Sequence, residues 1–182
     1  EASKSLAPSA FAGCVATRYV GSGENYGSVG TAVAALPTTL TGHSCVVITD
    51  GAVYTEQVTV RDFVNNGSSI TIMADPASGP RPTVSPPAGS TAAFIVANAS
   101  VNIKGLYVLV NQSVPYGVWA SSGYIQLSSV TVSTSGNSGI YTAAVRVSSW
   151  SAVSYSSVTA WNAHSIWLDG AFADVSYTTA VT

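Results

Sequence analysis

A short internal repeat constrains the fold of this chain more than any other feature of its sequence. Four segments in the C-terminal half align, beginning at Val101, Ile125, Val153 and Val175, in steps of 24, 28 and 22 residues. A second set of apolar segments precedes them at 94–96, 118–120, 145–147 and 166–168, in steps of 24, 27 and 21. Such a period is close to one coil of a parallel β-helix, whose short strands pair with the coils above and below.

Polarity alternates within each repeat as a strand requires. Positions 101, 103 and 106 are apolar in nearly every copy and are expected to point inward, whereas 102 and 104 are polar and are expected to face water. In the later copies Tyr155 and Tyr177 fall at the inward position in this alignment. A leucine-rich repeat would need a regular leucine framework, which is absent. We therefore predict an all-β fold, a single-stranded right-handed parallel β-helix of roughly five to six coils.

One short helix is predicted near the N-terminus. Val29, Ala32, Val33 and Leu36 form one apolar stripe, and Pro37 ends the pattern, which predicts a helix over about 28–36. Residues 1–25 are expected to form an extended lead-in, and 26–182 a parallel β-helix domain whose first coil this helix caps. The sequence stops inside a repeat, so we expect a segment of a longer chain, or an end that meets further coils or another copy.

Composition narrows the function classes. Only 8% of the residues are charged and there are six Lys+Arg, spread singly, so nucleic-acid binding is not expected. No apolar run approaches the roughly 20 residues of a membrane-spanning helix, so membrane insertion is not expected either. Cys14 and Cys45 are either two buried thiols or one disulfide. The low charge and abundant hydroxyls favour the disulfide and a secreted or cell-surface protein.

The N-terminal third carries a resemblance to a known family. Tyr26-Gly27-Ser28-Val29, the segment 32–37 and the segment 50–58, which includes Tyr54, Glu56 and Val58, resemble the opening of pectin methylesterases and other members of the pectin-lyase-like superfamily. The resemblance implies a capping helix, a first strand and a turn entering a right-handed parallel β-helix. The Gln-Asp-Thr and Asp-Phe-Ile-Phe-Gly stretches that carry pectin methylesterase catalysis are not found after Asn98. The repeats look closer to those of very large bacterial surface proteins.

Few side chains could carry chemistry. Asp169 and Asp174 lie in one coil and could approach each other as a catalytic pair, although turn hydrogen bonding is the preferred interpretation. Glu56 is expected to bond backbone amides or to pair with Arg61. His43 and His164 have no accompanying ligands, so no metal site and no cofactor are expected. Sequons at Asn66, Asn98 and Asn111 allow glycosylation.

Binding has a stronger candidate in a set of equivalent outward positions. Ile95, Trp119, Arg146 and Trp167 occupy the same position in four successive copies and are expected to stack into a column on a parallel sheet. Such a column could hold a sugar chain by ring stacking and cation–π contact, unless a loop or further coils cover it. Trp150, near the position of Phe172, and Trp161 are expected to be packing residues.

We therefore expect a non-catalytic extracellular structural or adhesive segment that binds polysaccharide through Trp119, Arg146 and Trp167. One alternative is an esterase or lyase acting on acidic polysaccharide. The other is a fibre subunit that self-assembles through its C-terminal coil.

Overall fold

The chain forms a solenoid of short parallel strands. In the computed structural model, the described residues are 13–111, 113–134, 142–160, 163–169 and 172–182. They form one helix and three sheets in which every strand pair is parallel. The solenoid has about six turns. The prediction of an all-β parallel β-helix with one short helix is confirmed.

The chain visits the three sheets in a fixed order in each complete coil, from sheet 1 to sheet 2 to sheet 3. Sheet 1 contains β1 (Ala16–Val20), β2 (Ser44–Ile48), β5 (Ile70–Ala74), β8 (Ala99–Lys104), β11 (Gly123–Ser128), β14 (Trp150–Ser154) and β17 (Ala173–Ser176). Sheet 2 contains β3 (Val53–Tyr54), β6 (Thr83–Val84), β9 (Tyr107–Val110), β12 (Thr131–Thr134), β15 (Ser157–Ala160) and β18 (Thr179–Val181). Sheet 3 contains β4 (Val58–Arg61), β7 (Ala92–Ala97), β10 (Tyr116–Ala120), β13 (Ala143–Val147) and β16 (His164–Leu168).

The strand register confirms one predicted alignment and corrects the other. In sheet 3, Phe94, Val118, Val145 and Ile166 are aligned, as the second set of segments predicts. In sheet 1, Ile125 is aligned with Ser151 and Leu127 with Val153, so the predicted alignment was displaced by two residues at its third copy. The sequence pattern could not resolve this step, because a shift of two residues preserves the alternation of a strand.

Tyr155 and Tyr177 are consequently not core residues. They follow β14 and β17 at the corner that leads to sheet 2, with φ of 48° and 47° and exposed fractions of 65% and 80%. Gly105 and Ser129 hold the same corner in the two preceding coils, with φ of 70° and 55°. The two tyrosine rings lie 5.0 Å apart and parallel to within 2°, so they pack on each other outside the core.

The core fills the space between the three sheets with aligned apolar side chains. Val101, Ile103 and Leu106 are fully buried, as the alternation predicts. Successive coils repeat this layer, so each apolar side chain packs on its equivalents above and below. In the last coil Val175 is 45% exposed, whereas the aligned Val153 is 1% exposed.

The predicted helix closes the first coil. α1 (Val29–Ala34) has Ser28 as its N-cap and buries Val29, Ala32 and Val33. Leu36 is buried as well, but it lies beyond the last turn, so the helix is shorter than predicted. The Glu56 carboxylate accepts hydrogen bonds from the amides of Val29, at 2.7 Å, and Gly30, at 2.8 Å. The prediction that Glu56 bonds backbone amides is confirmed.

The predicted lead-in contains a strand of sheet 1. β1 pairs with β2, and a disulfide joins Cys14, just before β1, to Cys45 in β2. The disulfide prediction is confirmed, and the alternative of two free thiols is wrong.

Candidate functional site

The outer face of sheet 3 carries the predicted column. Ile95 of β7, Trp119 of β10, Arg146 of β13 and Trp167 of β16 are aligned, one from each coil, and all four are partly exposed. Equivalent residues of neighbouring parallel strands lie about 4.8 Å apart, so the column runs along the solenoid axis. We call these four residues the aromatic column. The sequence predicted its members and their order correctly, because the predicted alignment of these segments agrees with the strand register of sheet 3.

Arg146 is the centre of the site. Its Nη1 donates to the Tyr116 hydroxyl at 2.8 Å, and its Nη2 donates to Asp169 Oδ2 at 3.0 Å. The guanidinium carbon lies 4.5 Å from the centre of the Trp167 ring and 5.5 Å from that of Tyr116. The hydrogen bond to Asp169 raises the pKa of Arg146 against the opposing effect of burial, so the guanidinium stays charged.

The ion pair between Arg146 and Asp169 is partly exposed to solvent. The Arg146 side chain is 23% exposed and that of Asp169 is 51% exposed. Charge-assisted hydrogen bonds of this kind are stronger than neutral ones and hold both groups in one orientation. The column therefore presents an oriented cation, paired with an accessible carboxylate, between two indole rings.

Tyr116 supports the column from beneath and was not predicted. It is only 8% exposed and lies in β10, aligned with Ala92 and Ala143 of the neighbouring coils. The small alanine side chains leave room for its ring, which lies 5.6 Å from Trp119 at a tilt of 37°. The signal in the sequence was a large aromatic residue three positions before Trp119, where the aligned residues of the two neighbouring coils are alanines.

The two candidate catalytic carboxylates lie on different faces. Asp169 follows β16 of sheet 3 and pairs with Arg146. Asp174 lies in β17 of sheet 1 and is aligned with Ala152. Asp169 thus contacts Arg146 and Asp174 belongs to the next sheet, and a catalytic role for the two carboxylates stays a prediction.

Other sequence candidates have structural contacts. In the part of the chain that the structure describes, no three His, Cys, Asp or Glu side chains are grouped as metal ligands would be, and no helix has the length and apolar character to cross a membrane. His43 Nδ1 accepts from the amide of Ser69. The amide side chains of Asn66, Asn98 and Asn111 each donate a hydrogen bond within the fold. Trp161 lies outside the described residues.

A second group of aromatic rings lies on sheet 1, away from the column. Trp150 stacks on Phe172 with ring centres 4.8 Å apart, and the two residues are 63% and 68% exposed. The two rings pack on each other and not into the core. Trp150 thus offers an exposed indole on another face of the molecule, which is useful as a control for the column.

Comparisons with protein-family models, curated proteins and solved structures gave no significant match to this chain.

Proposed function

We propose that this chain is a non-catalytic, extracellular structural or adhesive β-helix segment that binds carbohydrate along the aromatic column. The observation that carries the proposal is the register of sheet 3, which aligns Trp119, Arg146 and Trp167 from three successive coils on one outward face. A linear polymer lying along the solenoid axis could contact all three.

The chemistry of the column suits sugars. Aromatic rings offer apolar surface to the C–H groups of a pyranose, and a guanidinium and a carboxylate offer donors and acceptors to its hydroxyls. Tyr116 and the strand ladder fix these groups before a ligand arrives, which lowers the entropy lost on binding. Partial exposure of the column leaves it accessible while its rings remain oriented.

Two observations support an extracellular location and the superfamily relationship. The Cys14–Cys45 disulfide and the low content of charged residues are typical of secreted proteins. The segment around Tyr54 and Glu56 resembles the opening of the pectin-lyase-like superfamily, and Glu56 bonds first-turn amides of the capping helix that the resemblance implies.

A glycan-array screen tests the proposal. The wild-type chain should bind a subset of polysaccharides, and the double variant Trp119→Ala with Trp167→Ala should lose at least tenfold in affinity. The matched control is Trp150→Ala, which removes an exposed indole from sheet 1 and should bind like the wild type. Circular dichroism checks that all three chains fold. Absence of binding by the folded wild type, or equal loss in the control, would contradict the proposal.

A further inference from the structure

The spacing of the two indoles on the column restricts the shape of a ligand. Trp119 and Trp167 are two coils apart, so they are separated by about 9.6 Å along the axis, with Arg146 between them. In an extended β-1,4-linked glycan each sugar is turned by half a turn from the last, so every second sugar presents the same face. That repeat is close to the separation of the indoles. An α-1,4-linked glycan curls and does not keep this register.

The charge on the column restricts the ligand further. Arg146 is its one cation among the described residues, and Asp169 already neutralises it at 3.0 Å. The Nη1 nitrogen donates to the Tyr116 hydroxyl, and the Nε nitrogen is buried, so the ion pair with Asp169 is the accessible side of the guanidinium. An acidic sugar would have to displace Asp169 and would meet its negative charge at short range. A neutral sugar can donate its hydroxyls to the half-exposed Asp169 carboxylate without breaking the ion pair.

We infer that the column takes a neutral, extended β-1,4-linked polysaccharide, with Trp119 and Trp167 contacting alternate sugars and Asp169 accepting from the sugar between them. The inference rests on the proposed function, since it names the ligand class of the same column. It makes Asp169 a specificity determinant, because this carboxylate excludes acidic chains by neutralising Arg146.

Calorimetric titration of the wild-type chain with three hexasaccharides tests the linkage and the charge. The probes are cellohexaose, which is neutral and β-1,4-linked, maltohexaose, which is neutral and α-1,4-linked, and hexamannuronate, which is acidic and β-1,4-linked. Cellohexaose should bind at least tenfold more tightly than either of the others. Equal or tighter binding of maltohexaose or hexamannuronate would overturn the inference while leaving carbohydrate binding intact. No binding of any glycan, here or on the array, would overturn the proposed function itself.

The variant Asp169→Asn tests the role of the carboxylate. It keeps the shape of the side chain but leaves the Arg146 charge uncompensated, so hexamannuronate should bind at least fivefold more tightly than it does to the wild type. The matched control is Asp174→Asn, which removes one carboxylate of the same coil from sheet 1 and should leave the preference unchanged. An unchanged preference in a folded Asp169→Asn chain, or the same gain in Asp174→Asn, would overturn the assignment.

Discussion

At the scale of single residues, a few corner positions decide whether the coils can stack. Gly123 begins β11 with a φ of 99°, and a Cβ atom there would fall on the carbonyl oxygen of Ala99 in the coil below. Gly67 also has a positive φ, of 76°, but a Cβ atom there would meet open space. Comparing an alanine substitution at Gly67 with one at Gly123 therefore separates the cost of backbone strain from that of a steric clash between coils.

Gly123→Ala is expected to destabilise the chain by more than about 3 kcal/mol, because strain and clash add. Gly67→Ala should cost only about 1 kcal/mol, from the left-handed backbone alone. Urea unfolding curves measure both changes. Equal losses in the two variants would show that neighbouring coils do not approach each other closely at Gly123.

Asp50 couples stability to pH. Its carboxylate accepts hydrogen bonds from the Tyr54 hydroxyl, at 2.7 Å, and from the amides of Ser22 and Ala52. Burial acts to raise the pKa of Asp50, but these hydrogen bonds together lower it below its ordinary value of 3.8. A depressed carboxyl pKa stabilises the fold above the unfolded value, and this contribution is lost as the pH falls through the folded value.

Asp50→Asn should therefore lower the Tm at pH 7, and its difference from the wild type should shrink at an acidic pH below the folded-state pKa of Asp50, where the wild-type carboxyl is protonated too. Thermal unfolding at the two pH values measures this. A difference that stays constant between them would exclude the ionised carboxylate as its source.

At the scale of elements, the cap depends on a contact between distant segments. α1 has six residues, too few to be stable alone, and two of its first-turn amides are satisfied by Glu56 from the turn between β3 and β4. Glu56→Ala would leave both amides unpaired and is expected to cost about 2–3 kcal/mol. Denaturant titration measures the loss, with the exposed Glu24→Ala as the matched control. A loss no larger than in the control would show that packing alone holds the helix.

The disulfide likewise holds the start of β1 to a distant segment, β2. It closes a loop between residues 31 positions apart, and the loop contains β1 and α1. Replacing both cysteines by serine is expected to lower the free energy of unfolding by about 3–4 kcal/mol, through the greater entropy of the unfolded chain. Amide hydrogen exchange should show the greatest loss of protection in β1 and α1. A uniform loss along the chain would contradict a local role for the crosslink.

The sequence was sufficient to predict the coils, the cap and the column, because each depends on a repeated spacing. The apolar residues around Val118 and Val145 recur in every copy, and their outward neighbours Trp119 and Arg146 follow from strand alternation. The positions of Tyr155 and Asp169 could not be predicted in this way. The position of Tyr155 depends on the two-residue shift in the alignment of sheet 1. The Asp169–Arg146 pair depends on side-chain orientation at the end of a strand.

At the scale of the whole molecule, the proposed function depends on rigid repetition. Each coil contacts its neighbours through ladders on three faces, so a residue's position along the axis is fixed by its coil. This geometry converts three separate residues, Trp119, Arg146 and Trp167, into one linear surface. We expect this surface, and not another part of the molecule, to bind the sugar chain.

The most direct test is a nuclear magnetic resonance titration of the ¹⁵N-labelled chain with cellohexaose. If the aromatic column binds the sugar chain, the indole N–H signals of Trp119 and Trp167 and the Nε–H signal of Arg146 should shift together along one binding curve, while the indole signal of Trp150 should stay in place. Shifts centred on Trp150, or a saturable change that leaves Trp119 and Trp167 unmoved, would contradict it.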